Sequence, residues 1–75
     1  MSVIIAEAVG PKQRMTRRFG YVLVDNYGDF SVHRKYYDDG SLEDGHYNLT
    51  EEQAWETFKK KVDYLLSFGP GTWDK

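Results

Sequence analysis

Apolar and polar positions alternate along two runs, Phe19 to Asp25 and Phe30 to Tyr37, on either side of Asn26-Tyr27-Gly28-Asp29. A period of two marks a half-buried strand. Asn and Gly between such runs suit a tight turn with positive φ. Setting Asp25 opposite Phe30 places Leu23 against Val32, Tyr21 against Arg34 and Phe19 against Tyr36. One face of the hairpin then carries Phe19, Tyr21, Leu23, Phe30, Val32 and Tyr36 and is the core face. The other carries Gly20, Val22, Val24, Ser31, His33, Lys35 and Tyr37.

Before the hairpin, residues 3–9 are β-branched and apolar and stop at Gly10-Pro11, the pattern of a third strand. Consecutive strands are usually neighbours, so it should pair beside the first hairpin strand. The polar, basic stretch Lys12 to Arg18 reads as a connection, and Asp38 to Gly45 reads as a loop by composition.

The period changes after Thr50. Thr50 with Gln53 three residues on is a capping box, and Glu51 and Glu52 fall in the first turn, where the helix dipole favours acids. Ala54, Phe58, Val62, Leu65 and Leu66, with Trp55 beside them, form one apolar stripe, and Gly69-Pro70-Gly71 ends the run. The expected architecture is a single α+β domain over 1–75. It has a three-stranded antiparallel sheet (strands about 3–9, 18–25 and 30–37) and one C-terminal helix (about 51–67) on one face.

The chain has 75 residues, 40% of them hydrophobic and 29% charged, and no cysteine. That length supports one thin core. The lack of cysteine excludes a disulfide framework and a thiolate zinc site. Nothing basic precedes the apolar start and Glu7 interrupts it, so no secretory leader is expected and the cytoplasm is the expected compartment. The sequon Asn48-Leu49-Thr50 is then a coincidence, and no run approaches a membrane span.

Charge is uneven. Residues 1–36 hold six basic and three acidic side chains, a net +3, whereas residues 37–75 hold four and nine, a net −5. Mutual attraction of the two halves within one fold explains this better than a nucleic-acid surface, because the isoelectric point is acidic, ≈ 5.6.

Catalysis finds little support. Two histidines, His33 and His46, stand in a chain without nucleophile elbow, phosphate loop or dinucleotide fingerprint, so the reading is no enzyme and no cofactor. Asp38, Asp39, Glu43 and Asp44 crowd one turn, but their spacing lacks the alternation of a calcium loop, and no metal site is assigned.

A single helix covers one sheet face, which leaves Val22, Val24, His33, Lys35 and Tyr37, with Tyr27 and Arg34 nearby, as the expected partner-binding surface. The expected function is a small protein-binding module that inhibits or regulates a larger protein or nucleoprotein complex by occlusion. The small size suggests a bacterial, phage or mobile-element origin, by association alone. A homodimer through the same face or an edge strand is a variant of this reading. The alternative is a nucleic-acid module using Arg14, Arg17, Arg18, Arg34 and Lys35 on phosphates. A face free of its own chain further implies that Val22→Glu and Tyr37→Ala leave stability within about 1 kcal/mol of wild type. Cover by the tail carrying Trp73, or by residues 10–18, would remove that surface.

Overall fold

In the computed structural model the chain is described over residues 2–11 and 17–67, the side chain of Asp44 excepted. Strand β1 (Val3–Val9), strand β2 (Phe19–Asp25), strand β3 (Phe30–Tyr36) and strand β4 (Leu42–Leu49) precede helix α1 (Glu51–Leu66). The strands form one antiparallel sheet in the order β1-β2-β3-β4.

The β2–β3 register is the one the alternation requires. Asp25 pairs with Phe30, Leu23 with Val32, Tyr21 with Arg34 and Phe19 with Tyr36. Tyr21, Leu23 and Val32 are buried beneath α1 with Ala8, Ala54, Phe58 and Leu65, and Ala6, Phe19, Phe30, Leu49 and Val62 pack around them. Each fully buried aliphatic side chain of this kind contributes about 1.5–3 kcal/mol. In the turn it is Tyr27, not Gly28, that takes the left-handed conformation, with φ 61°. The Asp25 carboxylate stabilises it by accepting the Tyr27 N–H at 2.9 Å.

The sheet has a fourth strand where the composition suggested a loop. Only residues 37–40 turn, closed by the Gly40 N–H donating to the Tyr36 carbonyl at 2.8 Å, with Gly40 at φ 76°, and Leu42–Leu49 then runs back along β3. Its ladder slips twice, between Phe30 and Val32 and between Val32 and Arg34. Bulges break strict alternation, so an edge strand of this kind has no clean period to read.

Helix α1 begins as expected. The Thr50 hydroxyl accepts the Gln53 N–H and the Gln53 side chain accepts the Thr50 N–H, at 3.2 and 3.0 Å. The helix ends at a Ser67 cap, and the Gly69-Pro70-Gly71 stop lies outside the described residues. It packs mainly on β2 and β3 and touches β4. Its end meets the end of β1 at Gly10, where a Cβ would stand 2.6 Å from Leu65 Cδ1. Trp55 and Leu66, expected in the stripe, lie at its exposed margin. Among the described residues no helix is long and apolar enough to cross a membrane.

Candidate functional site

The centre of the outer sheet face is buried, which corrects the reading of Val22, Val24 and His33 as exposed contact residues. Val22 is 0%, Val24 6% and His33 8% exposed. Val22 lies between Glu7 of β1 and His33 of β3. Above it, the Tyr37 hydroxyl donates to the Glu7 carboxylate, and Lys35 Nζ stands 3.6 Å from Glu7 and 5.1 Å from the Tyr37 ring centroid. This bridge runs from β3 to β1 across β2 at Gly20. A side chain at Gly20 would be blocked, since its Cβ would fall 2.0 Å from the Ala8 carbonyl oxygen. Burial, and then the bond to Glu7, hold the Tyr37 phenol well above the usual tyrosine range. Tyr27 is exposed at its turn, whereas Arg34 belongs to the other face of the sheet. Trp73 and most of the 10–18 connection lie outside the described residues.

The basic residues do not form one patch. Arg17 makes a fork of bonds to Asp38 at 2.8 and 2.9 Å, reaches Asp39 at 3.0 Å and stacks 4.1 Å over Tyr36. That pairing raises the Arg17 pKa and lowers that of Asp38, while the backbone and side chain of Ser41, and then Arg17, lower Asp39. Arg18 donates to the Gly10 carbonyl at 3.2 Å. Lys35 points to the outer face and Arg34 to the inner one, and Arg14 lies outside the described residues. Attraction between the chain's two halves is therefore realised within the fold, through Arg17 and the 38–39 turn.

The histidines stand apart in role. His33 Nε2 is 2.8 Å from the Ser31 hydroxyl, which accepts from the Asn26 amide at 3.0 Å, and its ring meets Tyr47 edge-on at 5.1 Å. Burial, and then the nearby His46, lower the His33 pKa below its ordinary value. Protonation therefore favours the unfolded chain. The contribution of a neutral His33 is fully present above pH ~6.5 and is lost as pH falls through the folded-state pKa, at a slope of at most about 1.4 kcal/mol per pH unit. Urea melts between about pH 7.5 and 5 should show this loss, and His33→Gln should flatten it. Among the described residues no three metal-ligating side chains gather.

Among the described residues two surfaces stand out, one on each flank of α1. On the β4 side, Lys60, Lys61 and Tyr64 of the helix face Arg34 and His46 across an open cleft of ≈ 470 Å³. The other flank is apolar: Trp55, Phe58 and Val62 line a shallow groove, and Leu66 follows at the same margin. Ala6 and Ala8 of β1 belong to the same core cluster as Phe58 and Val62. At the start of β1, Val3 is 43%, Ile4 45% and Ile5 41% exposed. Neither surface was singled out from the sequence. The signals that bear on them are the Ile-Ile dipeptide of an end strand and the lysines of a polar helix flank. Comparison of the chain with protein-family models, curated proteins and solved structures finds no match.

Proposed function

We propose that this chain is a small non-enzymatic binding module that inhibits or regulates a larger protein or nucleoprotein partner by occluding it, with strand β1 and the apolar flank of α1 as the docking surface. The observation that carries the reading is the run Val3-Ile4-Ile5, three consecutive aliphatic side chains each more than two-fifths exposed on an edge strand. Scattered exposed aliphatics are ordinary. Three in a row, on a strand whose outer side pairs with nothing among the described residues, form a template for another strand. An extended segment of a partner would take main-chain hydrogen bonds from β1, and alternate side chains would settle against Trp55, Val62 and Leu66. Tryptophan at such a margin is a favoured anchor of binding energy. The β-bulge between Ile4 and Ala6 locally turns the strand and gives the pairing a defined position. This surface replaces the one centred on Val22 and Val24.

The test is capture of the partner from the native host by the tagged chain, then reconstitution with the purified partner. Ile4→Glu should weaken the purified complex at least tenfold, about 1.4 kcal/mol or more, with an unchanged melting temperature. Leu42→Ala, on the opposite edge strand, should bind as wild type. A complex indifferent to Ile4→Glu would refute the docking surface. If the purified chain alone runs at twice its mass, and Ile4→Glu restores the single mass, the occupant is a second copy.

A further inference from the structure

A row of hydrogen bonds runs from the buried outer face of β3 to the residue that opens β1. His33 Nε2 lies 2.8 Å from the Ser31 hydroxyl, the Asn26 side-chain amide donates to that hydroxyl at 3.0 Å, and the Ser2 hydroxyl donates to Asn26 Oδ1 at 2.6 Å. Ser31 and His33 are buried, whereas Ser2 lies in water. A hydroxyl has one proton to give. The Ser31 oxygen accepts from Asn26, so its own proton points at His33, and Nε2 is the bare nitrogen of a neutral ring protonated at Nδ1. Every donor in the row then points the same way, from Ser2 toward His33. Nothing around His33 welcomes a second proton. His46 lies near it on β4, and Tyr47 of the same strand meets its ring edge-on at 5.1 Å. Across β2 it faces Val22, with Glu7 of β1 beyond, and Lys35 stands two residues along β3. Glu7 is engaged by Tyr37 and Lys35, and among the described residues no carboxylate pairs with His33.

From this geometry we infer that the row is a pH-sensitive relay, in which a proton on His33 reverses the hydrogen bonds and changes how the start of β1 is held. A proton taken from water at Nε2 turns that nitrogen from acceptor to donor. Ser31 then accepts from His33, and its own O–H, buried with the ring, loses its acceptor. Leaving a buried donor unmade is costly. The Asn26 amide removes that cost by turning over, which offers Oδ1 to Ser31 and sets its NH2 group against Ser2. Ser2 now accepts where it donated, and its own proton turns to water. Val3-Ile4-Ile5 follow directly on Ser2, so the change falls at the leading end of the exposed edge. The consequence for docking rests on the β1 reading proposed above: the affinity of a strand added to β1 changes across the pH interval in which His33 titrates. The relay itself does not depend on any partner.

The experiment is an NMR titration of the free full chain from about pH 7.5 down to 4.5, which spans a histidine pKa at or below its ordinary value. It follows the ring signals of His33 and His46, the side-chain NH2 of Asn26 and the backbone amides. The Asn26 NH2 and the Val3 amide should move with the midpoint of the His33 ring, while the amides of α1 stay still. Ser31→Ala cuts the relay at its centre: the His33 ring should still titrate, and Asn26 and Val3 should no longer follow. Ser2→Ala, at an exposed position, should leave Asn26 following and free Val3, and it decides the matter should Ser31→Ala lose its fold. His33→Gln should abolish the coupled shifts and His46→Gln should keep them. The inference is overturned if Asn26 and Val3 stay still at the His33 midpoint. Shifts that persist in His33→Gln overturn it too, since they belong to other groups, such as the turn carboxylates Asp25 and Asp29. So does coupling that survives Ser31→Ala, or movement of the α1 amides at the same midpoint, which would mean that His33 unfolds the whole domain.

Discussion

Val22→Glu is expected to unfold the domain. Val22 is completely buried, and its cross-strand neighbours on the outer face are Glu7 and His33. A carboxylate there would lose its hydration beside an existing carboxylate. Lys35, on the same face, already attends Glu7. Removing one unpaired charge from water costs several kcal/mol even after relaxation, or else the group must protonate at comparable expense. A chain of this length has a total stability of roughly 4–11 kcal/mol. Circular dichroism should therefore show a variant that is largely unfolded, or one that melts far below wild type. Val22→Ala should keep the fold at reduced stability, separating lost packing from buried charge. A Val22→Glu variant that melts like wild type would place this side chain in water and return the outer face to the list of docking surfaces.

Phe58→Ala carries the second large effect, about 3–5 kcal/mol of destabilisation. Phe58 sits at the centre of the α1 stripe, within the cluster that holds Tyr21, Leu23, Val32 and Leu65. Its ring also meets Trp55 edge-on at 6.0 Å. The core is a single layer between one helix and one sheet, so a void there has few neighbours able to collapse into it. Urea denaturation should show a midpoint lowered by a large fraction with little change in slope. Trp55→Ala, at the exposed margin, should cost far less, and its main effect should be on partner binding.

Some of this molecule is legible residue by residue. The β2–β3 hairpin can be read because its two faces differ in character at every step from Phe19 to Tyr36, and a slip of one residue would turn Tyr21 and Leu23 to the wrong side. Helix α1 can be read because Thr50 and Gln53 mark its start chemically. Strand β4 could not be read, since Leu42–Leu49 contains Asp, Gly and Asn, leaves most of its side chains in water and is held by backbone pairing to β3. The burial of the centre of the outer face was equally hidden. It involves Glu7, Lys35 and Tyr37, which meet across three strands and share no local pattern. The same holds for the cleft: Lys60 and Lys61 are plain in the sequence, but Arg34 and His46 come opposite them only once β4 closes the sheet.

Hydrogen exchange of the chain, free and in complex with its captured partner, tests the docking surface most directly. Main-chain pairing along β1 should slow exchange at least tenfold in residues 3–9 and leave 42–49 of β4 unchanged. Protection confined to β4 or to the Tyr27 turn, with β1 exchanging as in the free chain, would contradict it.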